Sequence, residues 1–286
     1  MTHATHAAPV ASKPTRVYNR KKKTLDNRDR GYAGHIHFGD AAIPSKVSLL
    51  AHVSPVKDQG QLGSCTANAC AGALEYEENI AHSYDSALPL SRLFLYFNER
   101  AKEGSVDSDA GGEIRDVVKV ASKFGAPLET TWPYSDDGQQ FKLKPSTEAY
   151  AEGLGHRAVQ YEAVPQNLDA FFHVLAVYNR PIVIGITVYE SFEAESTMAS
   201  GVIPMPNTET EQCMGGHAVL VVGYDKDKQA FLVRNSWGKD VYPEAIPGSG
   251  ETGSFWLSFD FMMDPNLADD FWVLRAVFDD AVKGVV

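Results

Sequence analysis

From residue 65 onward the chain alternates between two textures. The stretch CTANACAGALEYEEN carries small residues first and larger ones later, and it predicts a helix over 65–79. In PLSRLFLYFNERAKEG, an apolar stripe follows Ser91, a residue suited to cap a helix start, and Gly104 stops it. GGEIRDVVKVASKFGAP places Ile114, Val117, Val118 and Ala121 on one helical face and ends at Gly125–Pro127. One further helix is expected in PQNLDAFFHVLAVYNRP. After that the pattern becomes strand-like: PIVIGITVY, HAVLVVGYD, AFLVRNSW, GSFWLSFD and FWVLRAVF are β-branched or aromatic runs separated by turn residues. Helices gathered in the first half and strands in the second predict an α+β fold with two facing subdomains.

Upstream of the first helix, AAIPSKVSLLAHVSPVKDQG has the proline and glycine spacing of extended chain and loop. Before it, charge changes the picture. Residues 1–34 hold eight Lys/Arg against Asp26 and Asp29, a net of +6, so that −17 of the chain's −11 total falls on the remainder. A basic leader over residues 1–42 therefore precedes an acidic body over 43–286, helical over about 55–150 and β-rich over about 151–286. The leader reads three ways: a solvated tail, a pro-segment lying on the acidic body, or a polyanion-binding tail. The acidic body argues against nucleic acid as a main partner.

The 286 residues, 44% hydrophobic and 22% charged, are ordinary for a globular protein. No run approaches the ~18 apolar residues of a membrane span, and the N-terminus lacks the apolar stretch of a secretory signal. The expectation is a monomer, cytoplasmic or exported by a signal-independent route. Cys65 and Cys70 lie five apart, about 140° around a helix, and should not pair. No metal-type Cys/His cluster stands out, and a metal on His35 and His37 of GHIHFG is disfavoured; no cofactor is expected.

The junction at Cys65 carries the chemistry. A thiol acts as a nucleophile through its thiolate, which a helix N-terminus and a neighbouring imidazolium both favour. Cys65 opens a helix after Gly63 and Ser64, whereas Cys70 sits inside it and reads as core packing. Among nine histidines, His217 stands out at the entrance of the apolar strand of GGHAVLVVGYD. Eighteen residues later a second strand ends in VRNSWG, and a strand–turn–strand of that length would bring Asn235 beside His217, its amide oxygen setting the imidazole tautomer. Trp237 would shield that bond. Gln59 and the Cys65 amide are candidate donors to an oxyanion.

These residues resemble the papain-like cysteine peptidases. The matching pieces run in order: IPSKV…PVKDQGQLGSC, LS at 90–91, AGGEIRD at 110–116, WPY at 132–134, GHAVLVVGYD and VRNSWG. The short leader and disulfide-poor body are most similar to the bacterial members. The resemblance implies a helical left subdomain, a barrel-like right one, and a cleft between them. Cys65 would be the nucleophile, His217 the general base and acid, Asn235 its orienter and Gln59 the oxyanion donor. Gly111 and Gly112 would line the cleft and bond substrate backbone, with Trp237 beside the histidine. Ile114, Gly185 and Ala218 would form a roomy apolar pocket for the second residue before the scissile bond, with Glu113 at its rim favouring a basic group.

Two departures stand out: Leu62 where the family has a cysteine, and Thr66 where it has a tryptophan. The proline- and acid-containing segment 239–253 replaces a glycine-rich turn and should reshape the primed side. The expected activity is a cysteine endopeptidase acting on peptides or proteins, made as a zymogen. A Cys–His–Asn acyl transferase and a catalytically silent binding homologue remain alternatives.

Overall fold

The computed structural model describes residues 16–33, 43–82 and 88–276; the His35/His37 pair lies outside them. Seven α-helices are described: α1 (Cys65–His82), α2 (Arg92–Glu103), α3 (Ile114–Phe124), α4 (Thr147–Gly153), α5 (Leu168–Ala176), α6 (Glu195–Ser200) and α7 (Phe259–Met263). Helix α1 runs one turn beyond the predicted 65–79 because Asn79 and its neighbours are buried against the 49–53 loop; the Asn79 amide donates to His52 O at 2.8 Å. The predicted caps form: Ser91 Oγ accepts from the Phe94 amide at 3.1 Å, and Gly104 adopts φ 72°, a left-handed conformation that glycine takes without penalty.

Eight strands follow in the order β1 (Lys46–Ser48), β2 (Ala158–Ala163), β3 (Ile182–Tyr189), β4 (Val202–Ile203), β5 (Cys213–Asp225), β6 (Ala230–Arg234), β7 (Ser254–Ser258) and β8 (Ala268–Ala276). They form one sheet, ordered β2-β8-β3-β5-β6-β7-β4, with β1 pairing β5; only β4 and β7 run parallel. This is the α+β architecture expected, with three helices also placed among the strands. Strand β5 begins at Cys213, four residues earlier than its apolar run, because Gly215 and Gly216 pair with Val188 and Thr187 of β3.

Helix α1 packs along β5, burying Ala67, Ala71, Leu74 and Cys70 against the sheet's apolar residues. Small residues on α1 permit this close approach; a Cβ on Gly72 would already press on Leu220 at 3.3 Å. The start of α1 is thereby pinned to the His217 end of β5. All three cysteines are free, Cys65 and Cys70 buried and Cys213 exposed. No described helix is long and apolar enough to cross a membrane.

Candidate active site

Cys65 is the first residue of the 18-residue α1, whose first turn holds no acidic side chain to cancel the positive end of the helix. Its sulfur is reached by the backbone of Ala218, the residue after His217. His217 Nε2 lies 2.8 Å from Asn235 Oδ1, the contact expected from pairing β5 with β6. That bond commits Nε2 and leaves Nδ1, which has no other hydrogen-bond partner, for the thiol. Trp237 stacks on His217 with ring centroids 5.1 Å apart and 24° between planes. Tyr242, from the divergent 239–253 segment, stacks behind Trp237 in turn.

Gln59 is held on both sides of its amide. Its oxygen accepts from the Ser236 hydroxyl at 2.6 Å, and Nε2 donates one hydrogen to Leu62 O at 2.9 Å, leaving the other free to point elsewhere. The backbone repeats this link: the Gln59 amide donates to Ser236 O and the Gly238 amide to Lys57 O, each at 2.9 Å. Ser236, a residue the motifs do not distinguish, thus positions the candidate donor. Asp109 was equally silent in sequence; its carboxylate accepts the Gly63 amide at 3.0 Å and the Tyr96 hydroxyl, tying the loop before Cys65 to the strand of cleft ahead of Gly111.

The Thr66 departure has a local counterpart. Thr66 Oγ1 donates to Glu99 Oε2 at 2.7 Å, and Glu99 is fully buried. Burial raises the Glu99 carboxyl well above the ordinary range, and Glu99 in turn adds to the rise of the neighbouring Cys65 thiol.

Residues 16–33 run through the cleft. The Arg20 amide donates to Gly216 O at 3.1 Å and the Lys21 amide to Gly112 O at 3.0 Å. Asn19 bridges to Gly216 in parallel register, and its side-chain amide donates to Asp109 O at 2.8 Å. Gly216 is required here, since a Cβ would overlap the Arg20 backbone. Tyr18 lies edge-on to His217 at 5.9 Å and bonds Glu193, while Arg16 lies 4.0 Å above Trp237. Towards 33, Arg115 holds Asp26 and Asp29, Glu113 accepts from the amide and hydroxyl of Thr24, and the Tyr32 amide donates to Ala163 O at 2.8 Å. Glu113 is therefore occupied by Thr24 rather than facing a basic group at the pocket rim. The Arg20 guanidinium instead occupies the space above Gly185, where Ile114, Gly185 and Ala218 were expected to form an apolar pocket.

This covering layer leaves Cys65 and His217 with no solvent exposure. Loss of water raises the Cys65 thiol to about 12 and lowers the His217 imidazole to about 4, so the covered pair rests as neutral thiol and neutral imidazole. A thiolate–imidazolium pair carries the same number of protons. Covering the site moves a proton within the pair without taking one from solvent, and creates no pH dependence near neutrality.

Residues 44–244 match the model of the papain family cysteine protease. A peptidase C1-like protein of Acanthamoeba polyphaga mimivirus is 38% identical over 245 residues, covering 83% of this chain and 75% of that protein. Cathepsin C of Schistosoma mansoni is 27% identical, and the chain spans only 46% of its length. Among solved structures, xylellain, a cysteine protease from Xylella fastidiosa, superposes with a TM-score of 0.81 at 37% identity, covering 94% of this chain and all of that one. Digestive procathepsin L 3 of Tenebrio molitor larval midgut shares the fold, with a TM-score of 0.66 at 18% identity and coverage of 90% and 76%. With a buried Cys–His–Asn arrangement at the junction of α1 and β5 and a family match over most of its length, the chain belongs to the papain family of cysteine proteases.

Proposed function

We propose that the chain is a cysteine endopeptidase held as a zymogen by its own basic leader. The observation that carries this reading is an extended polypeptide lying in the cleft, its amides bonded to Gly216 and Gly112. A cleft that grips backbone in this way suits peptide substrates better than the small acyl donors of a transferase. The leader continues past the site in both directions, from Arg16 over Trp237 to Tyr32 beside β2, which favours cleavage within chains over trimming of ends.

In the uncovered site, Cys65 passes its proton to His217 Nδ1 and the sulfur adds to the scissile carbonyl. The resulting oxyanion meets the Cys65 amide, which has no acceptor within its helix, and the free hydrogen of Gln59 Nε2. The imidazolium, held by Asn235, then protonates the leaving amine as the C–N bond breaks. Water, deprotonated by His217, hydrolyses the thioester and returns the thiol. Incubation of leader-trimmed protein with a mixed peptide library tests the assignment: internal cleavage products are expected, and transfer of acyl groups to added amines without hydrolysis would replace it.

Gln59→Ala is expected to lower kcat by ~10²–10³ with little change in KM, because its donor serves the oxyanion more than bound substrate. Steady-state kinetics on one peptide decide this; a raised KM at constant kcat would remove Gln59 from that role.

The leader's grip has a defined pH window. Asp26 is held well below the ordinary carboxylate range, first by Arg28 within the leader itself and then by Arg115 of α3. A depressed carboxyl contributes to the covered state above its free value near 3.8 and loses that contribution as pH falls further. Only the share from the α3 cations, Arg115 and the more distant Lys119 at 3.8 Å, holds leader to body. Hydrogen exchange at the Arg20 and Lys21 amides, corrected for intrinsic rates, is therefore expected to stay slow from neutrality to about pH 4 and to quicken below. Full release by pH 6 would contradict an Asp26–Arg115 latch.

A further inference from the structure

The pocket beneath the leader contains a carboxylate that no motif singled out. Three neighbouring strands place Ala218 of β5, Gly185 of β3 and Asp269 of β8 in one cross-strand row, through the pairs Gly185↔Ala218 and Gly185↔Asp269. The central member of the row has no side chain, so a trough opens between an apolar wall and an acid. Arg20 fills it. Its guanidinium lies over Gly185, where any Cβ would overlap it, and Nη2 reaches Asp269 Oδ1 at 2.7 Å. The Arg20 side chain is 1% exposed.

A guanidinium is buried this completely only where charge compensates its lost hydration. The partners it has here are the Asp269 carboxylate and, from Nη1, Lys21 O at 3.2 Å. The adjacent Asp270 is buried and turns one oxygen to Trp272 Nε1 at 2.6 Å, whereas Asp269 is the acid that pairs with the Arg20 guanidinium. Asp269 retains 28% exposure of its side chain with Arg20 in place; when the leader leaves, it faces an open trough without a counter-charge.

We propose that Asp269 makes this pocket select a cationic side chain, arginine above all, at the second residue before the scissile bond. The proposal rests on the peptidase reading. It also replaces the expectation of a purely apolar occupant: Ala218 suits the aliphatic stem, while Asp269 takes the charged end. Gly185 supplies the depth that a long side chain needs. Arginine fits better than lysine because its planar fork can meet the carboxylate and a backbone carbonyl together.

Peptidyl thiol-reactive probes identical except for arginine, citrulline or leucine at this position test the proposal on the full chain. Occlusion by the leader slows every probe by the same factor, so ratios of labelling rates at Cys65 report the pocket alone. Citrulline keeps the shape of arginine and removes its charge. The arginine probe is expected to label at least ~10-fold faster than citrulline, and Asp269→Asn is expected to bring that ratio close to one. Comparable arginine and citrulline rates in the natural chain, or a ratio that survives Asp269→Asn, would overturn the proposal while leaving the peptidase reading intact. Failure of all three probes to label Cys65 even after the leader has been trimmed away would instead overturn the peptidase reading on which it depends.

Discussion

Cys65→Ala is expected to abolish peptide hydrolysis, lowering kcat by ~10⁴ or more, and to remove the fast labelling by thiol-reactive peptide probes, leaving only slow reaction at the exposed Cys213. The size follows from chemistry, since neither of the other cysteines can replace it beside His217 Nδ1: Cys70 lies further along α1 in the core, and Cys213 is exposed at the start of β5. The fold should barely notice. Cys65 is fully buried, but alanine removes one sulfur atom and adds no bulk, a loss of about 1 kcal/mol. Cys70→Ala has the opposite profile, with hydrolysis retained and a similar loss of stability, because Cys70 contributes packing alone. Thermal unfolding and single-turnover assays on the two variants separate these outcomes. Substantial turnover by Cys65→Ala would require a different nucleophile.

Arg20→Ala is expected to uncover the site. Iodoacetamide, too small to read any pocket, should alkylate Cys65 about 10–100-fold faster in this variant than in the natural chain. Breaking a buried pair while leaving one charge costs about 3–5 kcal/mol when both partners are fully enclosed. Asp269 keeps partial contact with water, so a cost of about 1–3 kcal/mol is appropriate here. The remaining leader contacts, Arg115 with Asp26 and Asp29 and the Tyr32 anchor, persist and limit the effect to the cleft. Equal alkylation rates would mean that backbone bonds to Gly216 and Gly112, not the Arg20 side chain, hold the cover in place.

Much of this was legible because the relevant signals are local. The His217–Asn235 contact followed from two apolar strands joined by a short turn, and Cys65 was marked by the change from glycine-rich loop to small-residue helix. Ser236, Asp109, Glu99 and Asp269 carried no such mark. Each acts on a residue distant in sequence: Ser236 on Gln59, Asp109 on Gly63, Glu99 on Thr66, Asp269 on Arg20. Their roles come from register and tertiary packing, and a lone acid in a strand or loop looks like any solvated charge. The leader's +6 against an acidic body was visible, yet long-range charge does not fix a path. The path is set by close contacts at Gly216, Gly185 and Ala163. Glu113 illustrates the difference. Its sign is plain in the sequence, but its partner is Thr24.

Because residues 16–33 belong to the same chain as the cleft they fill, their occupancy does not depend on how dilute the protein is. A tethered segment competes with substrate at a fixed local concentration set by chain length. A single cut between leader and body would turn the same set of contacts into an ordinary bimolecular complex, which dissociates on dilution and reforms only at high concentration. Switching would then be one-way without any change in the affinity of a single contact, and its direction would be set by volume.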